Sequence, residues 1–339
     1  MPKKTTIYDV AKQAGVAIST VSRVLNDSPY VSMKTKNRVK AAISDLHFHP
    51  QVSARNLARQ KPQIIAVVAP TFTTPFFNEV LKGVKDEIKD SGLDSIVYNT
   101  GSDDPEGNFK GFLDRGIPDA LIIFSINIDD EIHERLKDMP IPVVLVGSNH
   151  TGYNYFWWDN YKGGCMAAKH LVDQGFQNIG MIRKHSHSTV ADDREKGFRE
   201  TLIKLGKPLQ EDYIVAGITK KHKGYSEEAG SEAIHILHNR GKMPEAVFCS
   251  NDAQAIGALH ALDELNLNVP KDIAVMGYDN IKISKFINLT TINQKMYDIG
   301  VLATKKMESL IADSGQQVEQ HVIDPELIVR KSTRKASDL

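Results

Sequence analysis

The segment Thr6-Ile7-Tyr8-Asp9-Val10-Ala11-Lys12-Gln13-Ala14-Gly15-Val16-Ala17-Ile18-Ser19-Thr20-Val21-Ser22-Arg23-Val24-Leu25-Asn26 sets the reading of the whole chain. Its apolar residues recur at helical spacing in two short runs parted by a glycine. Thr6 is placed to cap a first helix that turns Val10, Ala11 and Ala14 to one side. Asp9 falls in the first turn, where the helix dipole favours a negative charge. Gly15 ends that helix. A second helix then carries Val21, Val24 and Leu25 inward and leaves Ile18, Ser19, Ser22 and Arg23 on its other side. Two short helices joined by a glycine turn, with small Ala11 where they cross, predict a helix-turn-helix. A third helix is expected with Val39, Ile43 and Leu46 inward and Lys34, Lys36, Arg38 and Lys40 available to phosphates.

The surrounding composition supports this. The chain has 339 residues, 41% hydrophobic and 25% charged, which fits two to three globular domains and excludes collagen-like and disordered classes. Formal net charge is zero, but residues 1–61 hold 11 Lys and Arg against 3 Asp and Glu. The remaining residues hold 31 against 39. A basic head on an acidic body points to one module that meets a polyanion and another that does not. Two cysteines, Cys165 and Cys249, cannot build a disulfide framework, and Asp9 interrupts any apolar signal segment, so a cytoplasmic protein is expected. Apolar runs such as 64–69 are far below the ~20 residues of a membrane span.

The run Ile7-Tyr8-Asp9-Val10-Ala11, then Gly15-Val16, then Ser19-Thr20-Val21-Ser22-Arg23-Val24-Leu25-Asn26 closely resembles the opening of the lactose-repressor/galactose-repressor (LacI/GalR) family of bacterial transcription regulators. Val31-Ser32, Thr35, Arg38-Val39, Ala41-Ala42-Ile43 and Leu46 continue the match. The resemblance implies that Ile18, Ser19 and Arg23 read base edges, and that Tyr8, Thr20, Ser22, Asn26 and Tyr30 grip or buttress the DNA backbone. Ala17 stands where the family commonly has a Ser that could cap the recognition helix, so one cap and one contact are missing. The segment 50–59, with Ala54, Leu57 and Ala58 on one stripe, is too short to be stable as a lone helix. In the family it is a hinge helix that pairs with its dimer mate in the minor groove. Arg55 and Leu57 align with its DNA contacts, Leu57 with the wedging leucine. Gln51 departs from the Asn often found there.

From Ile64 onward, short β-branched runs alternate with helical stretches. Residues 64–69, 95–98, 120–124, 143–146, 179–182, 246–249 and 273–278 read as buried parallel strands. Residues 76–91, 163–174, 194–205, 226–239, 253–265 and 297–312 read as helices. This predicts an α/β body of doubly wound parallel sheets, with any ligand beyond the strands' carboxyl ends. The resemblance implies a two-lobed, periplasmic-binding-protein-like receptor with three crossovers near Trp158, Ile292 and Val322. The expected organisation is a helix-turn-helix domain over 1–50, a hinge over 51–61, and a receptor and dimerisation domain over 62–339. Its first lobe spans about 62–158 and 293–322, its second about 159–292 and 323–331. The stretch from Pro105 to Pro118 is glycine-rich, with poor helix propensity for a second helix.

Asp159-Asn160-Tyr161-Lys162-Gly163-Gly164, Arg194-Glu195-Lys196-Gly197-Phe198, Ser250-Asn251-Asp252 and Gly277-Tyr278-Asp279-Asn280 are similar to the family's signatures. They imply Arg194, Asn251 and Asp279 as effector ligands, a donor and acceptor set suited to a sugar-like or purine-like molecule. Phe72, Phe76 and Phe77 lie in the loop where members stack an aromatic on the ligand; core packing is the alternative. Trp157 and Trp158 fit either sugar stacking or packing between lobes. Gly147 lies near the Asp that several members carry at the end of the fourth strand. His185, with Arg183, Lys184 and His187, forms a basic loop, and Lys220, Lys221, His222 and Lys223 form another. Both are open to an anionic effector or to plain solvation.

His185 and His187 flank Ser186 and Ser188, yet no third metal ligand has a recognisable spacing and there is no nucleophile elbow. No metal, cofactor or enzymatic activity is expected. The expectation is an operator-binding regulator, a repressor, acting as a homodimer on pseudopalindromic double-stranded DNA. A small-molecule effector, sugar-like and open to being anionic, controls it. The alternative is a catabolite-control regulator whose corepressor is a phosphorylated carrier protein. The closing residues 331–339 lack the apolar heptads of a tetramerising tail, so a dimer is expected.

Overall fold

The computed structural model describes residues 5–25, 28–46, 48, 64–115, 118–184 and 189–334. The chain divides into two compact units, Met1–Gln63 and Ile64–Leu339.

The first unit is three helices, α1 (Ile7–Ala14), α2 (Ile18–Leu25) and α3 (Met33–Asp45). Asp9 Oδ2 accepts the Thr6 amide at 2.8 Å and the Thr6 hydroxyl at 2.7 Å, which closes the start of α1. Gly15 takes the left-handed conformation (φ +61°), and the Val16 amide returns to Ala11 O at 3.1 Å. That turn lets Val10, Val21 and Val39 meet fully buried, with Ala11 and Ala42 packed beside them. Ser32 caps α3 by accepting the Thr35 amide at 3.3 Å.

The second unit holds two six-stranded sheets with helices between strands. The first sheet is built from β1 (Ile64–Ala69), β2 (Asp94–Asn99), β3 (Ala120–Phe124), β4 (Val143–Val146), β5 (Asn154–Trp158) and β11 (Gln320–Ile323). Its order is β11-β5-β4-β3-β1-β2, all parallel. Helices α4 (Pro75–Ile88), α5 (Pro105–Leu113), α6 (Asp130–Lys137) and α12 (Met296–Ala312) belong to the same lobe. The second sheet contains β6 (Ile179–Ile182), β7 (Ile214–Val215), β8 (Ala246–Cys249), β9 (Ala274–Asp279), β10 (Thr290–Asn293) and β12 (Glu326–Ile328). Its order is β12-β10-β9-β8-β6-β7, antiparallel only at β10–β12. It carries α7 (Asn160–Asp173), α8 (Thr189–Lys204), α9 (Glu227–Asn239), α10 (Asp252–Glu264) and the short α11 (Lys282–Phe286). The chain passes between the lobes after β5, after β10 and between β11 and β12.

Strands β1, β3, β4, β6 and β8 are buried along nearly their whole length, because helices cover both faces of each sheet. Helix pairs lie close through paired glycines. A Cβ on Gly164 of α7 would run into Arg194 O of α8, and one on Gly197 into Tyr161 O. The same arrangement joins α9 to α10 through Gly230 and Gly257, and α4 to α12 through Gly83 and Gly300. The glycine-rich stretch does form a helix, against its propensity. Asp104 caps α5 by accepting the Gly107 amide at 2.9 Å, Pro105 fits its first turn, and Phe109 and Phe112 are buried.

In each sheet the connections reverse direction once, between β1 and β3 in the first and between β6 and β8 in the second. Such reversals open a crevice at the carboxyl ends of the strands. Here the two crevices belong to lobes joined by three crossings.

Candidate ligand cleft and nucleic-acid face

In the N-terminal unit, Ser19 and Arg23 are exposed on α2 together with Ile18, while Thr20 and Ser22 are half-buried. Tyr8 and Tyr30 are large, largely apolar and 67% and 90% exposed, an unfavourable display for a small module unless another surface covers them. Arg23 has the fork geometry to read a guanine edge, and Ile18 offers methyl contact. Ala17, ahead of α2, has no side-chain acceptor to offer the first turn; its carbonyl accepts the Thr20 amide at 2.9 Å and the Val21 amide at 3.2 Å. Arg38 reaches Gly15 O at 3.3 Å and so braces the turn before the recognition helix. Asn26, Arg55 and Leu57 lie outside the described residues, as does the hinge segment.

In the receptor unit, a cavity of about 580 Å³ lies where the strand ends of both lobes converge. The first lobe contributes Phe76 and Phe77 from the start of α4, with Ser125, Asn127 and Ser148 from the loops after β3 and β4. The second contributes Arg194, Asn251 and Asp279. Five of the residues expected to bind an effector therefore line one cavity. Phe72 does not; it sits in the loop before α4, 42% exposed and outside the lining. The turn that brings Thr74 to the helix cap carries Phe72 past the cleft. His185 lies outside the described residues.

Arg194 is almost wholly buried and held on every side. Its Nε donates to Asn160 Oδ1 at 2.8 Å and its Nη1 to Ser250 O at 2.8 Å. The guanidinium lies 3.8 Å from the centre of the Tyr278 ring, and Nη1 is 3.9 Å from Asp279 Oδ1. Asp279 occupies a left-handed backbone conformation (φ +119°), which costs a non-glycine residue on the order of 1–3 kcal/mol. Burial pushes its carboxyl up to about 8, against the opposing pull of Arg194. Asn251 caps α10 by accepting the Gln254 amide at 2.9 Å, so its carbonyl oxygen serves the fold while its amide stands beside the cavity. Asp252 turns away from the cleft. Its carboxylate accepts Ser284 Oγ and Thr291 Oγ1, both at 2.6 Å, and the Ile281 amide at 2.9 Å, tying the loop after β9 to the sheet. Burial raises Asp252 to about 6.

The structure adds residues that the sequence did not single out. Gln294, on the second crossing, donates to Asp279 Oδ1, and its backbone carbonyl accepts Trp158 Nε1 at 2.7 Å. A ligand-facing carboxylate is thereby wired to two of the three crossings. Trp158 packs edge-on against Phe76 at 5.5 Å, so its main role is packing at the crossing, although both Trp157 and Trp158 line the cavity. Gly147 (φ +68°) leaves room there: a Cβ would come within 2.7 Å of the Trp158 ring and 2.9 Å of Ser125 Oγ. An Asp does not fit at this position without moving the tryptophan. Three lining residues carry buried polar atoms with no partner: Thr74 Oγ1, Tyr225 OH and Gln294 Oε1. Among the described residues no cluster of three metal-ligating side chains occurs, and no helix is long and apolar enough to cross a membrane.

Comparison with known proteins finds a match for each of the two units. Residues 6–51 match the lacI family of bacterial regulatory proteins, and residues 168–333 match the periplasmic binding protein-like domain. The HTH-type transcriptional repressor PurR of Histophilus somni (strain 2336) is 32% identical over 336 residues, covering 97% of this chain and 99% of that protein. The lac repressor dimer bound to operator and the anti-inducer ONPF superposes with a TM-score of 0.80 at 26% identity, covering 98% of this chain and all of that one. The transcriptional regulator CelR in complex with cellobiose gives a TM-score of 0.68 at 26% identity, with 97% and 100% covered. These relatives are regulators and not enzymes. The chain belongs to the lacI family of bacterial regulatory proteins and is a DNA-binding transcriptional repressor with a ligand-binding receptor domain.

Proposed function

We propose that this repressor binds a pseudopalindromic operator as a homodimer, and that a sugar or sugar derivative in the interlobe cavity sets its operator affinity. The observation that carries this reading is a single cavity lined from both lobes, with Arg194, Asn251 and Asp279 opposite Phe76 and Phe77. Aromatic walls with fixed donors and acceptors suit a polyhydroxylated ring. The unpartnered polar atoms of Thr74, Tyr225 and Gln294 call for a ligand that forms hydrogen bonds. The relative solved with cellobiose supports the same class. A ligand alters DNA binding only through unequal affinity for two receptor arrangements. The Asp279–Gln294–Trp158 chain supplies a route, because a contact at Asp279 reaches two of the three crossings. On the DNA side, Ile18, Ser19 and Arg23 read base edges; Tyr8, Thr20, Ser22, Asn26 and Tyr30 hold the backbone. Arg55 and Leu57 act from the hinge over 51–61.

The test starts from an operator selected from random DNA with the full-length protein. Sugars that raise its melting temperature are then scored for their effect on operator affinity by fluorescence anisotropy. A stabilising sugar should change operator affinity in the native protein and lose both effects in Arg194→Met. Failure to select any two-fold-symmetric sequence would refute the DNA half of the proposal.

A further inference from the structure

The cavity is not electrostatically balanced. Its charged lining consists of Lys184, Arg194 and Lys223 against Glu106 and Asp279. Asp279 is engaged by Gln294 and lies beside Arg194, while Glu106 stands on the opposite lobe and accepts the Asn127 amide at 3.4 Å. Neither Lys184 nor Lys223 has a carboxylate within ion-pair distance among the described residues. Lys184 lies two residues beyond the end of β6, and its ammonium is 5.2 Å from the centre of the Tyr225 ring. Burial, and next the like charge of Lys223, bring the Lys184 pKa down to about 8; Asp192 opposes this and Arg194 adds to it.

This pair of cations is built into the fold. Gln254, fully buried on α10, donates from one Nε2 to Arg183 O at 3.2 Å and to Gly224 O at 2.8 Å, while its Oε1 accepts the Ser250 amide at 3.1 Å. One side chain thus clamps the residue before Lys184 to the residue after Lys223. Lys223 itself is held in a left-handed conformation (φ +57°). The Tyr225 hydroxyl, in the same cavity lining, is buried without a hydrogen-bond partner among the described residues. Two like charges drawn together in a half-buried wall, beside an unused donor, are costly unless a negative group meets them.

We propose that Lys184 and Lys223, with the Tyr225 hydroxyl, form a subsite for an anionic group of the effector, a phosphate or a carboxylate carried on a polyhydroxylated body. The inference rests on the cavity being the effector site. A bound anion accepts from both ammonium groups and from the tyrosine, while Arg194, Asn251 and Asp279 hold the hydroxylated remainder.

Calorimetry on the full-length protein with matched probes tests it: glucose, glucose 6-phosphate and gluconate, and ribose, ribose 5-phosphate and ribonate. At least one anionic member should bind ten-fold or more tightly than its neutral parent, and its affinity should fall as salt rises. The phosphate and carboxylate arms tell which group the subsite takes. Lys184→Met should abolish the preference and Lys184→Arg should retain it, with thermal unfolding showing that both variants fold. Equal binding of the neutral parent, no binding by any anionic member, or an unchanged preference in Lys184→Met overturns the proposal. A neutral sugar bound in an Arg194-dependent way, with no anionic member binding more tightly, would overturn the anion subsite and leave the cleft reading intact. If no probe binds and operator affinity responds to none of them, both readings fall.

Discussion

Replacing Asp279 by Asn should change how the receptor's stability depends on pH. The carboxyl is buried beside Arg194 and Gln294, with its folded pKa raised to about 8, whereas an unfolded Asp titrates near about 3.9. A raised pKa means that the folded state holds a proton the unfolded state has released. Stability from this group is therefore fully present below about pH 4 and is lost as pH rises through about 8. In between, the slope for one proton is about 1.4 kcal/mol per pH unit. Wild type should lose roughly 2–3 kcal/mol relative to Asp279→Asn between pH 5 and pH 7. Asp252, raised to about 6, titrates in both proteins and cancels in the difference. The Asn carbonyl keeps an acceptor for Gln294, so the substitution removes the titration and spares the geometry. Urea unfolding followed by tryptophan fluorescence is the assay. The chain's two tryptophans, Trp157 and Trp158, both line the cleft and report on the receptor unit alone. Parallel stability curves for the two proteins across that range would refute the assignment of a protonated Asp279.

Three further outcomes follow from the geometry. Arg23→Ala should relax preference at one base position per half-site, by about 1–3 kcal/mol, read from binding to a library of single-base operator variants; a uniform loss across all sequences would place Arg23 on phosphates instead. Gly164→Ala sets a methyl against Arg194 O and should destabilise the receptor by about 1–3 kcal/mol, lowering the melting temperature and weakening effector binding together, since α8 carries Arg194. Gln254→Leu leaves the Arg183 and Gly224 carbonyls and the Ser250 amide without their partner, at about 1–3 kcal/mol for a buried group; hydrogen exchange should rise at the Ser250 amide, and unchanged protection there would contradict the clamp.

Much of this protein was legible from local pattern. The helix-turn-helix follows from Thr6, Asp9, Gly15 and the spacing of Val10, Val21 and Val24, because caps, turns and helical stripes act over a few residues. The strands that the sequence predicted lie inside the sheets except for the exposed edge strand β2, and the continuous apolar runs of the inner ones reflect burial on both faces. Those it did not predict are β5, β7, β10, β11 and β12. They are short or polar, and most owe their existence to distant partners: Gln320 pairs with Tyr155, and Thr291 with Ile328. The same limit applies within the cleft. Arg194, Asn251 and Asp279 stood out through their motifs, and Phe76 and Phe77 through their loop, but nothing local separated Phe72 from them. Gln294, Tyr225 and Gln254 carry no signal in their neighbourhoods. Gln294 matters because a crossing brings it under Asp279, and Gln254 because it sits where two loops from different strands converge. Local periodicity records which side of an element is buried; it holds no information about which distant group waits there, and that pairing is settled only when both lobes have packed.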